Sequence, residues 1–367
     1  MPTLATTIDG LTFPNPFLIA SGPPGTNLNV ISRAFREGWG GVVAKTVSLD
    51  STKVVNVSPR YAKLLSSDGR EVVGWENIEL ISDRPFAAWL EEFRKCKDMH
   101  PEGILIASVM EECRRDAWEE IIGRCQDAGV DGFELNFSCP HGLPERRMGS
   151  AMGQDPGLLA EICSWVMAVA KRPVWAKMTP NITHIEDPSR AALRAGCHGI
   201  SAINTIRCIM GVNLETLRPE PTVEGHSTPG GYSSTAIRPI ALRMCAEVAT
   251  LIREEFPDRS LSGIGGIEQG ADAAEFILLG ADSVQVCTGV MKHGFGMVAD
   301  MKRELLAFME RHGFASIAEF KGLSLDFLTS HARLVELQHP AASSGERPTD
   351  ADWSGDRLAE QSVSLAR

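Results

Sequence analysis

Residues 261–289, LSGIGGIEQGADAAEFILLGADSVQVCTG, decide the fold of this chain. Two short β-prone runs, LSGIGGI (261–267) and SVQVCTG (283–289), flank a stretch of helical periodicity, GADAAEFILLG. Strand, helix and strand in that order make a parallel crossover unit. Both runs end in glycine-rich turns, Gly265-Gly266 and Cys287-Thr288-Gly289. At such turns bare backbone N–H groups and a helix N-terminus suit a bound phosphate, and glycine lets the backbone come close to it. A glycine pair alone is equally a tight turn. Two such turns on consecutive strands favour the phosphate.

Outward from this unit the alternation recurs. Further β-rich runs lie at 16–22, 41–47, 103–110, 132–138, 173–179 and 199–205. Helical patterns such as RRDAWEEIIGRCQDAG and PGLLAEICSWVMAVA separate them, and MVADMKRELLAFMERHG follows the eighth. Eight strands alternating with eight helices predict an α/β chain folded as a (β/α)8 TIM barrel. An open doubly wound sheet is the alternative, and the count of eight with the Gly-rich seventh run favours the barrel. Ahead of it, TTI, Asp9-Gly10 and LTF predict an N-terminal β-hairpin. Three connections, 48–85, 139–156 and 206–237, are too long for simple turns. All three leave C-terminal strand ends, the face on which barrels carry their chemistry. The barrel is expected over residues 1–335, with 336–367 a polar, poorly ordered C-terminal tail.

With 367 residues and 43% hydrophobic content the chain can bury a full core. A net charge of -11 argues against a nucleic-acid partner. No apolar run reaches the ~20 residues of a membrane helix, and the N-terminus lacks the marks of a signal peptide. The nine cysteines are odd in number and form no C-x-x-C pair. They fit a reducing compartment, a cytoplasmic location (or an organelle, had a transit peptide been removed), and neither a metal site nor an iron–sulfur cluster.

Several barrel strands end in polar groups: Lys45-Thr46, Asn136-Phe137-Ser138-Cys139, Lys177-Met178-Thr179 and Asn204-Thr205. A lone lysine at a strand end is usually a solvated rim residue, and a lone asparagine usually caps a turn. Four such endings on one rim point instead to a site. Lys45 and Lys177, near a low-dielectric interior, are expected to repel unless an anion joins them. Reduced flavin, negatively charged near N1, meets that need, and a lysine there raises its potential. Cys139 opens a polar loop containing His141, Arg146 and Arg147. Nucleophile, redox thiol and general acid all stay open for it, although a C-x-x-C partner is missing.

Taken together, Ala44-Lys45-Thr46, Asn77-Ile-Glu-Leu-Ile81, Asn136-Phe-Ser-Cys139-Pro-His-Gly, Ala176-Lys177-Met-Thr-Pro-Asn181, Ala202-Ile-Asn204-Thr205 and Gln285-Val-Cys287 resemble the flavin domain of the dihydropyrimidine dehydrogenase family. The resemblance covers roughly residues 7–335. Pro180-Asn-Ile-Thr183, Arg218-Pro-Glu-Pro221 and Asp352-Trp-Ser-Gly355 are similar to its short, single-domain plant-type form. It implies FMN held by Ser21, Lys45, Thr46 and Lys177, with its phosphate at Ser234, Gly265, Gly266, Cys287 and Thr288. It implies a uracil or thymine ring read by Asn77, Asn136, Ser138, Asn204 and Thr205, reduced with Cys139 as proton donor. Amide side chains suit such a ring, since each offers donor and acceptor together. The implied electron source is NADPH, acting directly or through a separate reductase, because no Rossmann G-x-G-x-x-G follows a strand. A homodimer is implied as well. The chain departs from the large multidomain form in lacking its iron–sulfur and FAD/NADPH regions, and in carrying Ser234 where that form has Gly. Dihydroorotate oxidation is the nearest alternative activity. A Schiff-base aldolase using Lys177, a tRNA-reducing flavin barrel and a non-catalytic scaffold are weaker ones.

Overall fold

Apolar runs that are buried on both faces belong in a parallel sheet covered by helices, and all eight runs take that form. A computed structural model describes residues 2–50, 54–138 and 149–338. The barrel strands are β1 (Phe17–Ile19), β2 (Gly41–Val43), β3 (Ile104–Val109), β4 (Gly132–Asn136), β5 (Val174–Lys177), β6 (Gly199–Ala202), β7 (Ser260–Ile264) and β8 (Ser283–Val286). They pair in parallel and in sequence order, and β8 closes the barrel on β1. Strands β4 and β6 to β8 are buried along their whole length.

The helices α1 (Leu28–Glu37), α2 (Phe86–Met99), α3 (Arg115–Asp127), α4 (Pro156–Val169), α5 (Glu186–Arg194), α6 (Arg238–Glu255), α7 (Gly270–Leu278) and α8 (Met297–His312) follow the strands in turn. Their ends are set locally. Asn27 caps α1 by accepting from the N–H groups of Asn29 and Val30 at 3.0 and 3.2 Å, and Gly38 ends it at φ 92°. Asp155 caps α4 ahead of Pro156. An additional short helix, Thr288–His293, stands directly after β8.

The expected hairpin is present, Thr6–Ile8 against Leu11–Phe13, turning at Asp9 (φ 50°) and Gly10 (φ 84°). Ile8 and Phe13 pack with Leu18, Val43, Ile106 and Trp175, so the hairpin plugs the N-terminal end of the barrel.

At the opposite end the long connections are not plain loops. The one after β2 forms strands Tyr61–Leu65 and Val72–Asn77, and the one after β6 contributes Ile206–Cys208 and Gly230–Ser233. These build one four-stranded antiparallel sheet in which Val72–Asn77 pairs with Gly230–Ser233. Two connections more than 100 residues apart thus share one cap. The chain divides into two units, Met1–Leu323 and Ser324–Arg367. The barrel and its cap belong to the first. In the second, helix His331–Gln338 has no buried residue.

Candidate functional site at the C-terminal mouth

The strand register fixes the floor of the site. Asn136, at the end of β4, lies beside Lys177, at the end of β5, and Lys177 beside Ser201 of β6. Over this floor opens a cleft of about 1090 Å³, lined by barrel residues Lys45, Thr46, Asn136 and Lys177 and by cap residues Tyr61, Trp75 and Asn77.

The lysines are both buried, but neither lacks an anion, and this corrects the expectation drawn from them. Lys177 Nζ lies 3.1 Å from Glu134 Oε1, and Lys45 Nζ lies 3.1 Å from Glu79 Oε2. Glu79 is held further by Arg60 at 3.0 Å and by the hydroxyl of Tyr61 at 2.9 Å. Mutual repulsion therefore demands no ligand. The floor instead presents two compensated cations to the cleft.

In the sequence Glu134 is legible only as a charge inside an apolar run, GFELN. It gathers the floor together. Ser21 Oγ donates to it at 3.1 Å and Gln285 Nε2 at 2.9 Å. Beside it runs a second chain of hydrogen bonds. Thr46 and Ser108 share a bond of 2.8 Å, and Asn136 Nδ2 donates to Thr46 Oγ1 at 2.9 Å. Ser138 Oγ donates to Asn136 Oδ1 at 2.9 Å and accepts from Asn204 Nδ2 at 2.6 Å. Ser138 is fully buried, and unlike Asn136, Asn204 and Thr205 it is not part of the cleft wall. It fixes the two amides rather than facing a ligand. Within the cap, Asn77 Nδ2 donates to the carbonyl of Gly231, its partner on the neighbouring strand, at 3.1 Å. Cys139, with His141, Arg146 and Arg147, lies outside the described residues.

The glycine turns after β7 and β8 have the expected geometry. Gly265 and Gly266 adopt φ 142° and 71°, and a Cβ on Gly266 would sit 2.9 Å from both Arg238 Cβ and the carbonyl of Ser234. Thr288 and Gly289 open a helix, so their N–H groups have no partner within it. Burial pushes the Cys287 thiol up to about 11 against the pull of Lys177 and Lys45, so the side chain stays a neutral thiol. Ser234 holds φ 81°, ψ -168°, a region that favours glycine and costs ~1–3 kcal/mol for other residues. That accounts for Gly at this position in the large family form.

Three polar atoms in the wall, Ser234 Oγ, Trp75 Nε1 and Gln285 Oε1, are buried without a hydrogen-bond partner. Buried polar groups are seldom left so. With the paired lysines, the amides and the glycine turns, they form a set of donors and acceptors that fits a flat heteroaromatic cofactor with a phosphate tail. Among the described residues no cluster of metal-ligating side chains occurs. No helix there is long and apolar enough to cross a membrane, and their eight cysteines form no disulfide with one another.

The closed parallel barrel is a fold shared with the dihydroorotate dehydrogenases. The chain belongs to that family, whose profile matches residues 3–309. Within it, the chain is 56% identical over 374 aligned residues to the chloroplastic dihydropyrimidine dehydrogenase (NADP+) of Arabidopsis thaliana, covering 99% of this chain and 88% of that protein. It is 41% identical to the PreA subunit of the NAD-dependent dihydropyrimidine dehydrogenase of Escherichia coli, covering 83% of this chain and 73% of that one. The catalytic subunit of dihydroorotate dehydrogenase B from Pyrococcus abyssi is 34% identical, over 82% of this chain and 92% of that subunit. The dihydroorotate dehydrogenase of Eimeria tenella, solved with ferulenol, shares the fold at a TM-score of 0.72 and 20% identity, over 88% of each chain.

Proposed function

We propose that the chain is an FMN-dependent dihydropyrimidine dehydrogenase, reducing the C5=C6 bond of uracil or thymine with electrons from NADPH. One observation carries the choice of substrate over dihydroorotate. Among the described residues of the cleft wall the only cations are Lys45 and Lys177, and both are paired with carboxylates. A ring bearing a carboxylate finds no free cation there, whereas a neutral pyrimidine finds the amides of Asn77, Asn136 and Asn204 and the hydroxyl of Thr205. The high identity to the Arabidopsis enzyme supports the same reading.

FMN, when bound, supplies the hydride. Ser21, Lys45, Thr46 and Lys177 would hold its ring, and Ser234 with the turns at Gly265, Gly266, Cys287 and Thr288 its phosphate. The chain's own contribution is orientation and a proton. Asn136 and Asn204 are locked by Ser138 in one arrangement, so the donors and acceptors offered to the ring are set before it arrives. Cys139 gives a proton to C5 as C6 receives hydride, and so must begin as a thiol and end as a thiolate that water or buffer reprotonates. On this reading the chain itself carries no iron–sulfur cluster. The compartment is one that keeps thiols reduced, either the cytoplasm or an organelle, as for the chloroplastic Arabidopsis enzyme. As a family barrel the chain is expected to elute as a homodimer in size-exclusion chromatography.

Replacement of Cys139 tests the reading. Cys139→Ala should keep its yellow FMN and lose uracil reduction by about 10²- to 10⁴-fold, the usual worth of a general acid. Near-normal turnover in that variant sinks the assignment. Wild-type protein that turns over dihydroorotate faster than uracil moves the chain to the other branch of its family.

A further inference from the structure

Most barrel strands keep charge out of their interior, and β4 does not. Glu134 is 1% exposed and sits mid-strand, with Ser108 of β3 on one side and Trp175 of β5 on the other. An unpaired carboxylate cannot remain charged there, and Glu134 has three donors. Its Oε1 accepts from Ser21 Oγ and Lys177 Nζ, each at 3.1 Å, and its Oε2 accepts from Gln285 Nε2 at 2.9 Å. Lys177 Nζ also donates to Ser21 Oγ at 3.1 Å. The donors stand on β5, on β8 and just past the end of β1, so one carboxylate ties three parts of the barrel together.

The layering gives this cluster a direction. Ser21, Lys177 and Gln285 line the cleft. Glu134 does not. It borders a smaller cavity inside the barrel, shared with Ser201, Ser262 and Ser283. From the cleft downward the order is positive charge, then negative charge, both out of solvent. A cofactor above Lys177 is therefore offered a cation whose field is partly cancelled from behind.

We propose that Glu134 is a positioning residue that tunes the reducing strength of the cofactor, by holding Lys177, Ser21 and Gln285 in place beneath it and offsetting the charge of Lys177. This rests on the flavin reading above. Lys177 alone would bind the reduced, negatively charged cofactor much more tightly than the oxidised one. Glu134 narrows that difference and keeps the bound hydride donor reactive. A role confined to packing would change the affinity for both redox states alike and leave the potential where it was.

The test is the midpoint potential of the FMN-loaded full chain, measured by dye equilibration. Glu134→Gln preserves shape and removes the charge. Its relative affinity for reduced over oxidised flavin should rise at least tenfold, about 30 mV more positive for a two-electron couple. Lys177→Gln should move the potential the other way. An unshifted Glu134→Gln potential overturns the proposal. Should Glu134→Gln fail to fold, because Lys177 is left buried without its counter-ion, the comparison passes to Lys177→Gln against the double variant. The double variant must lie positive of the single one, and coincidence of the two overturns the proposal. Wild-type protein that takes up no FMN removes the flavin reading and this inference together. FMN-loaded wild type with unshifted variants removes this inference alone.

Discussion

Asp9 shows how a single residue carries two requirements. With Gly10 it forms the hairpin turn at φ 50°, a conformation that Asp tolerates better than most residues. Its carboxylate, folded inward, accepts from Ser260 Oγ at 2.5 Å. Burial raises its pKa to about 6, with Asp282 adding to the shift and Ser260 and Trp175 opposing it. The folded state thus holds this proton more tightly than the unfolded chain does. The resulting stability is complete below about pH 4 and is lost as pH rises through 6. Asp9→Asn keeps the turn and the hydrogen bond but cannot ionise. It should be more stable than wild type by about 1–3 kcal/mol at pH 7.5 and nearly equal at pH 4. Melting both proteins across that range checks the sign, and a constant difference would refute it. The turn itself was legible from Asp9-Gly10. The titration was not, because it comes from burial of the carboxylate among residues distant in sequence, such as Ser260, 251 positions away. The same holds in the site. Lys45 and Lys177 were readable as charges at strand ends, whereas Glu79 and Glu134 became their partners only through strand register and the folding-back of a long connection.

Among the elements, the eight barrel strands were legible because burial on both faces writes a continuous apolar run into the sequence. The cap strands were not. Gly230–Ser233 is four residues long and takes one of its two partners from Val72–Asn77. Neither segment has enough length or alternation to declare itself, and register across such a gap is set by the barrel beneath. The cap nonetheless shapes the substrate side of the cleft. A Cβ at Gly231 would lie 2.1 Å from Thr205 Oγ1 and 3.2 Å from Asn77 Nδ2. Gly231→Ala must therefore displace two proposed pyrimidine ligands, while the flavin turns after β7 and β8 lie elsewhere. The KM for uracil should rise about tenfold or more, equivalent to roughly 1.4 kcal/mol of binding, with FMN content unchanged. Gly211→Ala, where nothing lies within 4 Å of the added Cβ, is the control and should behave as wild type. Equal KM values for the two variants would show that the cap does not define the substrate site.

For the molecule as a whole, the two ends of the barrel differ in access. The N-terminal end is plugged by the hairpin, whose Ile8 and Phe13 pack directly on barrel residues. The small cavity inside the barrel has walls of Phe13, Trp175 and Glu134. The cleft at the opposite end, about 1090 Å³, is the larger space and opens beneath the cap. Lys177 and Gln285 close the floor of that cleft, so a nicotinamide donor and a pyrimidine must both come from the cap side. On the proposal that NADPH reduces the flavin directly, one space serves two reactants in turn, NADPH leaving as NADP+ before the pyrimidine enters. Such an order gives ping-pong kinetics. Steady-state rates with NADPH and uracil both varied should yield parallel double-reciprocal lines, and excess uracil should inhibit competitively against NADPH. Anaerobic addition of NADPH alone should bleach the flavin, which it could not do if a separate reductase were required. Intersecting lines would mean that both reactants are held at once, and would place the nicotinamide outside this cleft.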